Sequence, residues 1–382
     1  MKILYTLNSG TPGGMEQHVL DLVSGFVSRG HEVHVWCKEG VIADWYKNAG
    51  AVVTKDTINL DIDPFYISRL YKYIKANTFD VVHSHEVKAG GNTLIASSFA
   101  GTKVRLSHVH TPISEWQVAP IKKFLNSVFY TIIVSMLSTK EIALTESRKR
   151  VKESEGITPS KLVVLPNGLN IEKFNIPYSA KISNRKEIIE RYSVSNDSFI
   201  VGNVGRLTEE KGIPVLLEAF ANFLQNKHID ANKVKLFLVG GGKLEESLKS
   251  QADKLGILDK VIITGVFKDE DLVKFYSTID LFVTPTLAEG FGIVLLEAMA
   301  SKLPIICSDL EVLQEVGGSA VVSFEMGNAI DLSENMVNLY EKKDNLENLK
   351  EAAFQRVNEL YTLEHFVANY EELYQSLLEK TQ

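Results

Sequence analysis

The chain has 382 residues, 45% of them hydrophobic and 23% charged, and its formal net charge is −7. This length and composition are typical of a globular protein with two domains, and the acidic balance argues against a nucleic-acid-binding protein. No stretch reaches the roughly 20 consecutive apolar residues of a membrane span, and the N-terminus has a strand pattern instead of a signal peptide, so a cytoplasmic location is predicted.

The first half of the chain alternates short β-branched runs with amphipathic helical patterns. Strands are predicted at Lys2–Leu7, His31–Cys37, Ala51–Thr54, Asp80–His83, Lys103–Val109, Glu141–Thr145 and Leu162–Leu165. Helices are predicted at Met15–Arg29, Pro64–Ala76 and Ile121–Leu137. This alternation indicates a mostly parallel, doubly wound sheet. The pattern stops at the turn signal Pro166-Asn167-Gly168, and the polar stretch from there to about Asn184 is predicted to be the interdomain linker.

A second alternating series follows. Its strands are predicted at Phe199–Val204, Lys235–Val239, Val261–Thr264, Leu281–Thr284, Pro304–Cys307 and Ala320–Ser323, and its helices at Pro214–Gln225, Leu244–Leu255, Gly292–Ala300 and from Leu332 onward. The predicted domains are therefore residues 1–168 and 169–362, with a helix at about 363–382 packing back on the first. Doubly wound domains bind ligands where strands end, so we expect their facing edges to form one cleft.

The strongest candidate site is the segment Pro285–Ala300. A predicted strand ends at Thr284, a turn containing Glu289-Gly290-Phe291-Gly292 follows, and a helix opens near Gly292 with Ile293 and Val294. Free amides and the positive end of a helix suit a diphosphate. Glu289 and Glu297 are spaced so that both can reach one side and accept hydrogen bonds from sugar hydroxyls. A capped turn with two solvated glutamates is the structural alternative.

A second cluster begins at Gly202-Asn203-Val204-Gly205-Arg206 and continues at Glu210-Lys211-Gly212 before a helix. Glycines after a strand allow the backbone to approach a ligand, and two cations five residues apart can bracket a pyrophosphate. Arg206 and Lys211 would then neutralise a departing diphosphate. The alternative is that they are ordinary surface cations.

Histidines lie at two strand ends in the first half. His108 and His110 fall on the same face by strand alternation, so periodicity does not choose between them. His83 and His85 form a second pair, which we interpret as scaffold or acceptor-side residues. The helix at Ile121–Leu137 is apolar with lysines at its start. We predict that it is a core helix, and a membrane-surface helix is the alternative.

These motifs, in this order, resemble the family 4 glycosyltransferases over essentially the whole chain. The resemblance is carried by Glu289-Gly-Phe-Gly…Glu297, by Gly-Arg-Leu…Glu-Lys-Gly, by Val-Gly-Gly-Gly at 239–242, by Pro-Asn-Gly at 166–168, and by Gly13-Gly14 followed by Glu16 and a helix. It implies an α/β GT-B fold, with two Rossmann-like domains facing across a cleft. It also implies a retaining enzyme that needs no metal or other cofactor.

The resemblance also assigns roles to residues. Glu289 would bind a hydroxyl of the donor sugar, and Glu297 would bind the nucleotide ribose. Arg206 and Lys211 would hold the diphosphate, and the amides of Gly290–Val294 would contact sugar and phosphate, near Gly205. Gly13 and Gly14 would close on the diphosphate from the other domain. His110 matches the active-site histidine that contacts the transferred sugar.

Two other enzyme classes share doubly wound domains. A nicotinamide dehydrogenase is disfavoured, because Asn8–Gly14 lacks the Gly-x-Gly-x-x-Gly spacing. A nucleotide-sugar epimerase of GT-B-like fold remains the alternative to a transferase.

The predicted donor is a UDP-sugar, with GDP-mannose as alternative. The predicted acceptor is a glycan, a lipid-linked molecule or a small molecule in cell-surface polysaccharide or glycoconjugate synthesis. The first 170 residues carry more Lys and Arg than Asp and Glu, whereas the remainder is acidic. Peripheral contact of the first half with the inner membrane face is therefore an open expectation.

Overall fold

The structure is a computed structural model that describes residues 1–115, 118–342 and 346–380. Contacts divide the chain into two compact units. Unit 1 comprises Met1–Gly168 with Leu363–Gln382, and unit 2 is Leu169–Thr362. The polar stretch after Gly168 is not an irregular linker as far as Asn184, because a helix begins at Tyr178 within unit 2.

The described residues of unit 1 form a seven-stranded parallel sheet in the order β3-β2-β1-β4-β5-β6-β7. Its strands are β1 (Lys2–Leu7), β2 (Glu32–Cys37), β3 (Val52–Lys55), β4 (Val81–His85), β5 (Val104–His108), β6 (Lys140–Ala143) and β7 (Leu162–Val164). Its helices are α1 (Gly14–Ser28), α2 (Val41–Asn48), α3 (Pro64–Asn77), α4 (Val87–Ala100), α5 (Pro120–Leu137), α6 (Glu146–Ser154) and α15 (Leu363–Glu379). The strand predictions for this half are confirmed, with small shifts at their ends.

Helices cover both faces of the unit 1 sheet. Helices α1, α2 and α15 share one core with β1 and β2, and the side chains of Phe366, Tyr370 and Tyr374 on α15 are buried in it. Helices α3, α4 and α5 pack side by side over smaller cores. Because helices cover both faces, the central strands are buried on both sides. Their sequences are therefore continuous apolar runs, the pattern from which these strands were predicted.

Helix α5 departs from the core helix that the sequence predicted. Tyr130, Ile133 and Val134 are buried, but much of the rest of the helix faces solvent. Its exposed apolar side chains are those of Ile121, Phe124, Leu125, Val128, Phe129, Ile132 and Met136. The helix therefore contributes one side to the core and presents a long apolar face outward.

The described residues of unit 2 form a six-stranded parallel sheet in the order β10-β9-β8-β11-β12-β13. Its strands are β8 (Phe199–Val204), β9 (Val234–Val239), β10 (Val261–Gly265), β11 (Leu281–Thr284), β12 (Ile305–Ser308) and β13 (Val322–Phe324). Its helices are α7 (Tyr178–Arg191), α8 (Ile213–Leu224), α9 (Glu245–Lys254), α10 (Asp269–Tyr276), α11 (Ile293–Ala300), α12 (Glu311–Gly317), α13 (Ala329–Glu341) and α14 (Glu347–Leu360). In both units the second and third strands lie on one side of the first strand, and the fourth and later strands lie on the other side. This is the strand order of a doubly wound sheet.

Candidate functional site

The strand order locates a ligand crevice in unit 2. β8 lies between β9 and β11, so the helices that follow β8 and β11 leave toward opposite faces of the sheet. A crevice opens at the carboxyl ends of strands at such a switch point. Gly205 and Arg206 follow β8, and the Pro285–Gly292 segment follows β11. Both sequence-predicted clusters of this half therefore meet at the same edge.

Hydrogen bonds tie these two loops together. The carbonyl oxygen of Glu210 accepts from the amide of Leu287 at 2.7 Å and from the hydroxyl of Thr286 at 2.8 Å. Gly212 has a φ of +63°, and a Cβ there would collide with the carbonyl oxygen of Pro285. Glycine is therefore required at position 212, where the loop after β8 enters α8 and packs against the loop after β11.

This junction brings Lys211 to Glu289. The ammonium Nζ lies 2.7 Å from Oε2 of Glu289, and the two side chains are 20% and 16% exposed. Arg206 is 74% exposed and pairs with Glu210 at 3.1 Å. Lys211 is thus held beside the sugar-binding candidate Glu289, whereas Arg206 extends into solvent.

Helix α11 starts beside this ion pair. Gly292 caps it with a φ of +94°, and a Cβ there would lie 2.9 Å from the Leu313 side chain. The first amides of a helix lack intrahelical acceptors, so those of Ile293 and Val294 can bind an anion. The amide of Gly290 donates to Oε1 of Glu289 at 3.1 Å. The ring of Phe291 is buried against Tyr361, with centroids 5.8 Å apart.

Glu297 lies just over one turn into α11, since the helix begins at Ile293. The buried hydroxyl of Tyr276 donates to Oε2 of Glu297 at 2.7 Å. Burial raises the pKa of Glu297 to about 7, and the hydrogen bond from Tyr276 opposes part of this rise. Glu289 and Glu297 therefore have different partners, and Glu297 titrates near neutral pH.

Unit 1 has an equivalent switch point between β1 and β4. Gly13 and Gly14 lie after β1 and are exposed, and α1 begins at Gly14. A Cβ on Gly14 would meet nothing within 4 Å, so the backbone at this helix start is open to a ligand. This geometry suits the predicted contact of Gly13 and Gly14 with a phosphate.

Four histidines gather at the carboxyl ends of the neighbouring strands of unit 1. His85 ends β4, His108 ends β5, His110 follows β5, and His18 lies on α1. The rings of His108 and His110 stack with centroids 3.9 Å apart, and His18 lies edge-on to His110 at 4.8 Å. His83 lies next to His85, with ring centroids 4.3 Å apart. The two predicted histidine pairs are therefore parts of one cluster.

Burial governs the titration of this cluster. It lowers the pKa of His18 to about 4 and holds the pKa of His85, His108 and His110 well below the usual range. The imidazoles are therefore neutral at neutral pH. His110 is only partly buried, whereas the others are almost fully enclosed.

A buried ion pair supports the loop that carries His110. Lys152 on α6 and Glu141 on β6 are 2% and 0% exposed and form an ion pair. Glu141 also accepts from the hydroxyl of Tyr130 at 2.9 Å and from the amide of Val109 at 3.3 Å. This network joins β6, α5 and α6 to the backbone next to His110.

Comparisons with known proteins identify the family to which the chain belongs. The family model for "Glycosyltransferase Family 4" matches residues 12–173, and the model for "Glycosyl transferases group 1" matches residues 184–356. The chain belongs to the family 4 glycosyltransferases. It is therefore a glycosyltransferase of the α/β GT-B fold with two Rossmann-like domains, and nothing in the comparisons favours the epimerase alternative.

Relatives and solved structures agree with this assignment. The chain is 25% identical over 362 residues to a capsular polysaccharide biosynthesis glycosyltransferase of Staphylococcus aureus, covering 92% of this chain and 91% of the relative. It is 27% identical to the UDP-Gal:alpha-D-GlcNAc-diphosphoundecaprenol alpha-1,3-galactosyltransferase of Escherichia coli, covering 79% and 77%. Its fold is similar to that of Anabaena HepE, crystallised with UDP-glucose, with a TM-score of 0.84 at 20% identity, covering 98% and 100%. Within the described residues, no helix has the length and apolar content of a membrane span.

The sequence pattern did not predict a role for two polar residues near the histidine cluster, His18 and Asn167. His18 is a single histidine in an amphipathic helix, and Asn167 belongs to the predicted linker turn. The structure places Nδ1 of His18 2.6 Å from Oδ1 of Asn167, and both side chains are buried. The available signal was the helical spacing of His18 with Leu22 and Phe26, which predicts that His18 is buried on the apolar face of α1 but does not predict which histidines it meets.

Proposed function

We propose that this glycosyltransferase moves a hexose or N-acetylhexosamine from a nucleotide diphosphate sugar to an acceptor hydroxyl, with retention of anomeric configuration and without a metal. The observation that carries the proposal is the junction of Lys211, Glu289 and the start of α11 at one switch point. A cation and free helix amides suit a diphosphate, and the adjacent carboxylate suits a sugar hydroxyl.

In unit 2, we assign Arg206 and Lys211 to the diphosphate and Glu297 to the ribose. Glu289 would accept a hydrogen bond from a hydroxyl of the transferred sugar while remaining paired with Lys211. The amides of Gly290–Val294 would contact sugar and phosphate, with Gly205 leaving room for the ligand. In unit 1, we assign Gly13 and Gly14 to the diphosphate and His110 to the sugar.

The proposed step is a front-face displacement. The acceptor hydroxyl attacks the anomeric carbon from the side on which the diphosphate leaves, and a phosphate oxygen of the donor takes the hydroxyl proton. The bond from the anomeric carbon to the phosphate oxygen breaks, and the nucleoside diphosphate departs with its charge stabilised by Lys211 and Arg206.

Structural partners of three aspartates in the chain's two Asp-x-Asp segments favour a reaction without a metal. The carboxylate of Asp63 in Asp61-Ile62-Asp63 caps α3, accepting from the amides of Phe65 and Tyr66 at 3.1 and 3.0 Å. In unit 2, Asp269 and Asp271 pair with Lys173 and Arg191. Asp63, Asp269 and Asp271 are therefore engaged in structural contacts.

A UDP-sugar is the proposed donor, supported by the UDP-Gal-dependent relative, and GDP-mannose is the alternative. The proposed acceptor belongs to cell-surface polysaccharide or glycoconjugate synthesis, as the name of the capsular relative suggests. A thermal-shift screen against nucleotide sugars should show stabilisation confined to one donor. Incubation of that donor with glycan and polyprenyl-linked acceptors in EDTA should then release nucleoside diphosphate and give a product with the donor's anomeric configuration by NMR.

Three results would contradict the proposal. Interconversion of nucleotide sugars without any glycoside would indicate an epimerase. An inverted anomeric centre would exclude the front-face step, and loss of transfer in EDTA would exclude the metal-free reaction.

The titration of Glu297 gives a prediction for nucleotide binding. Ribose hydroxyls donate hydrogen bonds to an ionised carboxylate. At a pH below the Glu297 pKa of about 7, the carboxyl group is mostly protonated and must lose its proton when the nucleotide binds. The affinity for UDP, measured by calorimetry, should therefore rise about tenfold from roughly pH 6 to roughly pH 8 beyond the rise seen in Glu297→Gln. The exposed Glu246→Gln variant should behave like the parent protein. Equal pH slopes for the parent and Glu297→Gln would remove Glu297 from the ribose site.

We also propose that the exposed face of α5 rests on an anionic membrane surface. The face carries Phe124, Leu125 and Ile132, which are 66%, 61% and 53% exposed. Lys122 and Lys123 stand at the start of the helix, which contains no Asp or Glu. An apolar face with basic residues and no acidic ones matches the interface of anionic lipids with water.

Vesicle sedimentation tests this surface. Phe124→Asp/Leu125→Asp should weaken binding to phosphatidylglycerol-containing vesicles at least about tenfold, because each buried side chain contributes roughly 1.5–3 kcal/mol. Ile182→Asp, which changes an exposed apolar residue on α7, is the matched control and should bind normally. Equal binding by the α5 variant and the control would exclude α5 as the membrane surface.

A further inference from the structure

The histidine cluster of unit 1 has the dimensions of a metal site. One ring nitrogen from each of His18, His85, His108 and His110 lies within 4.8 Å of those of the other three. A tetrahedral zinc site with Zn–N bonds near 2.0–2.1 Å places its ligand nitrogens about 3.3–3.4 Å apart. Nδ1 of His85 and Nε2 of His110 are already 3.2 Å apart. The remaining ligand nitrogens lie within 4.8 Å of one another, so their separations would have to shorten by at most about 1.4 Å to reach this spacing.

Several buried ring nitrogens of the cluster lack a hydrogen-bond partner within the described residues. Nδ1 and Nε2 of His108 and Nε2 of His85 are buried without a hydrogen-bond partner in the described part of the chain. One ring nitrogen of His108 can bind the ion, and that bond would recover the free energy that an unsatisfied buried nitrogen costs. Three of the rings are fully or almost fully buried, and the partly exposed His110 provides an entry path.

His18 also has the supporting contact typical of a metal ligand. Oδ1 of Asn167 can only accept a hydrogen bond, so Nδ1 of His18, 2.6 Å away, carries the proton. This leaves the lone pair of Nε2 available, with the Tyr370 hydroxyl 3.5 Å from it. Metal-binding histidines usually donate their other N–H to an oxygen in this way, which fixes the tautomer and the ring orientation.

We propose that His18, His85, His108 and His110 bind one divalent transition-metal ion, and that the bound ion inhibits sugar transfer by taking His110 as a ligand. Neutral imidazoles favour Zn²⁺, Cu²⁺ and Ni²⁺ over Mg²⁺ or Ca²⁺, and Zn²⁺ is the probe chosen here. The inhibitory part rests on the proposed function, in which His110 contacts the transferred sugar. The binding part depends only on the four rings.

The test uses the full chain without a histidine tag, freed of metal with EDTA. One Co²⁺ per chain should bind with the visible absorption of a four-coordinate site, and Zn²⁺ should displace it. His108→Gln should abolish this spectrum, and Asn167→Ala should weaken Zn²⁺ binding about 10–100-fold. His228→Gln changes an exposed histidine of unit 2 and should bind like the parent. His85→Gln provides a second ligand variant in case His108→Gln does not fold.

Transfer activity is measured separately. Zn²⁺ should inhibit the parent enzyme with the same midpoint as binding, and EDTA should restore activity. Zn²⁺ binding with undiminished transfer would overturn the inhibitory part of the proposal. Binding that is absent in the parent, or equal in the parent and both ligand variants, would overturn the site. Metal binding by a protein that transfers no sugar would leave the site standing and contradict only the proposed function.

Discussion

Lys211→Ala is expected to lower turnover about a hundredfold or more while leaving the fold intact, because one charge-stabilising contact to a transition state contributes roughly 3–4 kcal/mol. Lys211 is fixed beside Glu289 at 2.7 Å, so its ammonium is already in place when the donor binds. The loss should appear mainly in kcat, since charge on the departing diphosphate develops in the transition state. Steady-state release of nucleoside diphosphate measures it.

Lys249→Ala is the matched control. Lys249 pairs with Glu245 and Glu246 on the surface of α9, and its removal should leave turnover unchanged. The melting temperatures of both variants check the fold. Turnover of Lys211→Ala within about threefold of the parent, or roughly 0.7 kcal/mol of barrier, would remove Lys211 from the mechanism.

Lys152→Met should destabilise unit 1 by about 3–5 kcal/mol, because it leaves the buried carboxylate of Glu141 without its cation. The chain's tryptophans, Trp36, Trp45 and Trp116, all belong to the first 168 residues. Tryptophan fluorescence during urea unfolding therefore reports on unit 1 separately from unit 2.

The double variant Lys152→Met/Glu141→Gln should recover much of this loss, since no unpaired charge is then buried. Lys149→Met removes the half-buried partner of the exposed Glu146 on the same helix and should change stability by no more than about 0.5 kcal/mol. A Lys152→Met variant as stable as Lys149→Met would show that the buried pair adds nothing to stability.

The parts of the fold that depend on local pattern were predictable from the sequence. The central strands carry β-branched runs buried on both faces, so β8 and β11 were located to the residue. The clusters at Gly205–Lys211 and Glu289–Glu297 each follow a strand, and strand order brings them together. Helix α7 was missed because its sequence is polar and reads as a linker, although Ile188 and Ile189 bury one side of it.

Contacts between distant segments were not predictable. The Lys211–Glu289 ion pair joins residues 78 positions apart and depends on how the Gly212 turn packs against Pro285. The histidine cluster requires α1, β4 and β5 to meet at one edge, which neither spacing nor periodicity reveals for His18. For α5, hydrophobicity alone could not separate a buried helix from one with an exposed apolar face.

The return of α15 to unit 1 has a consequence for synthesis on the ribosome. Unit 2 is continuous in sequence, so all its described strands and helices are available before Leu363 is made. Unit 1 lacks Phe366, Tyr370 and Tyr374 until then, and the groove they fill beside α1 stays open. Domains tend to fold as they emerge. Unit 1 therefore completes its core only after all of unit 2 has been translated. In chains truncated before α15, the apolar groove beside α1 would stay exposed to chaperones and proteases.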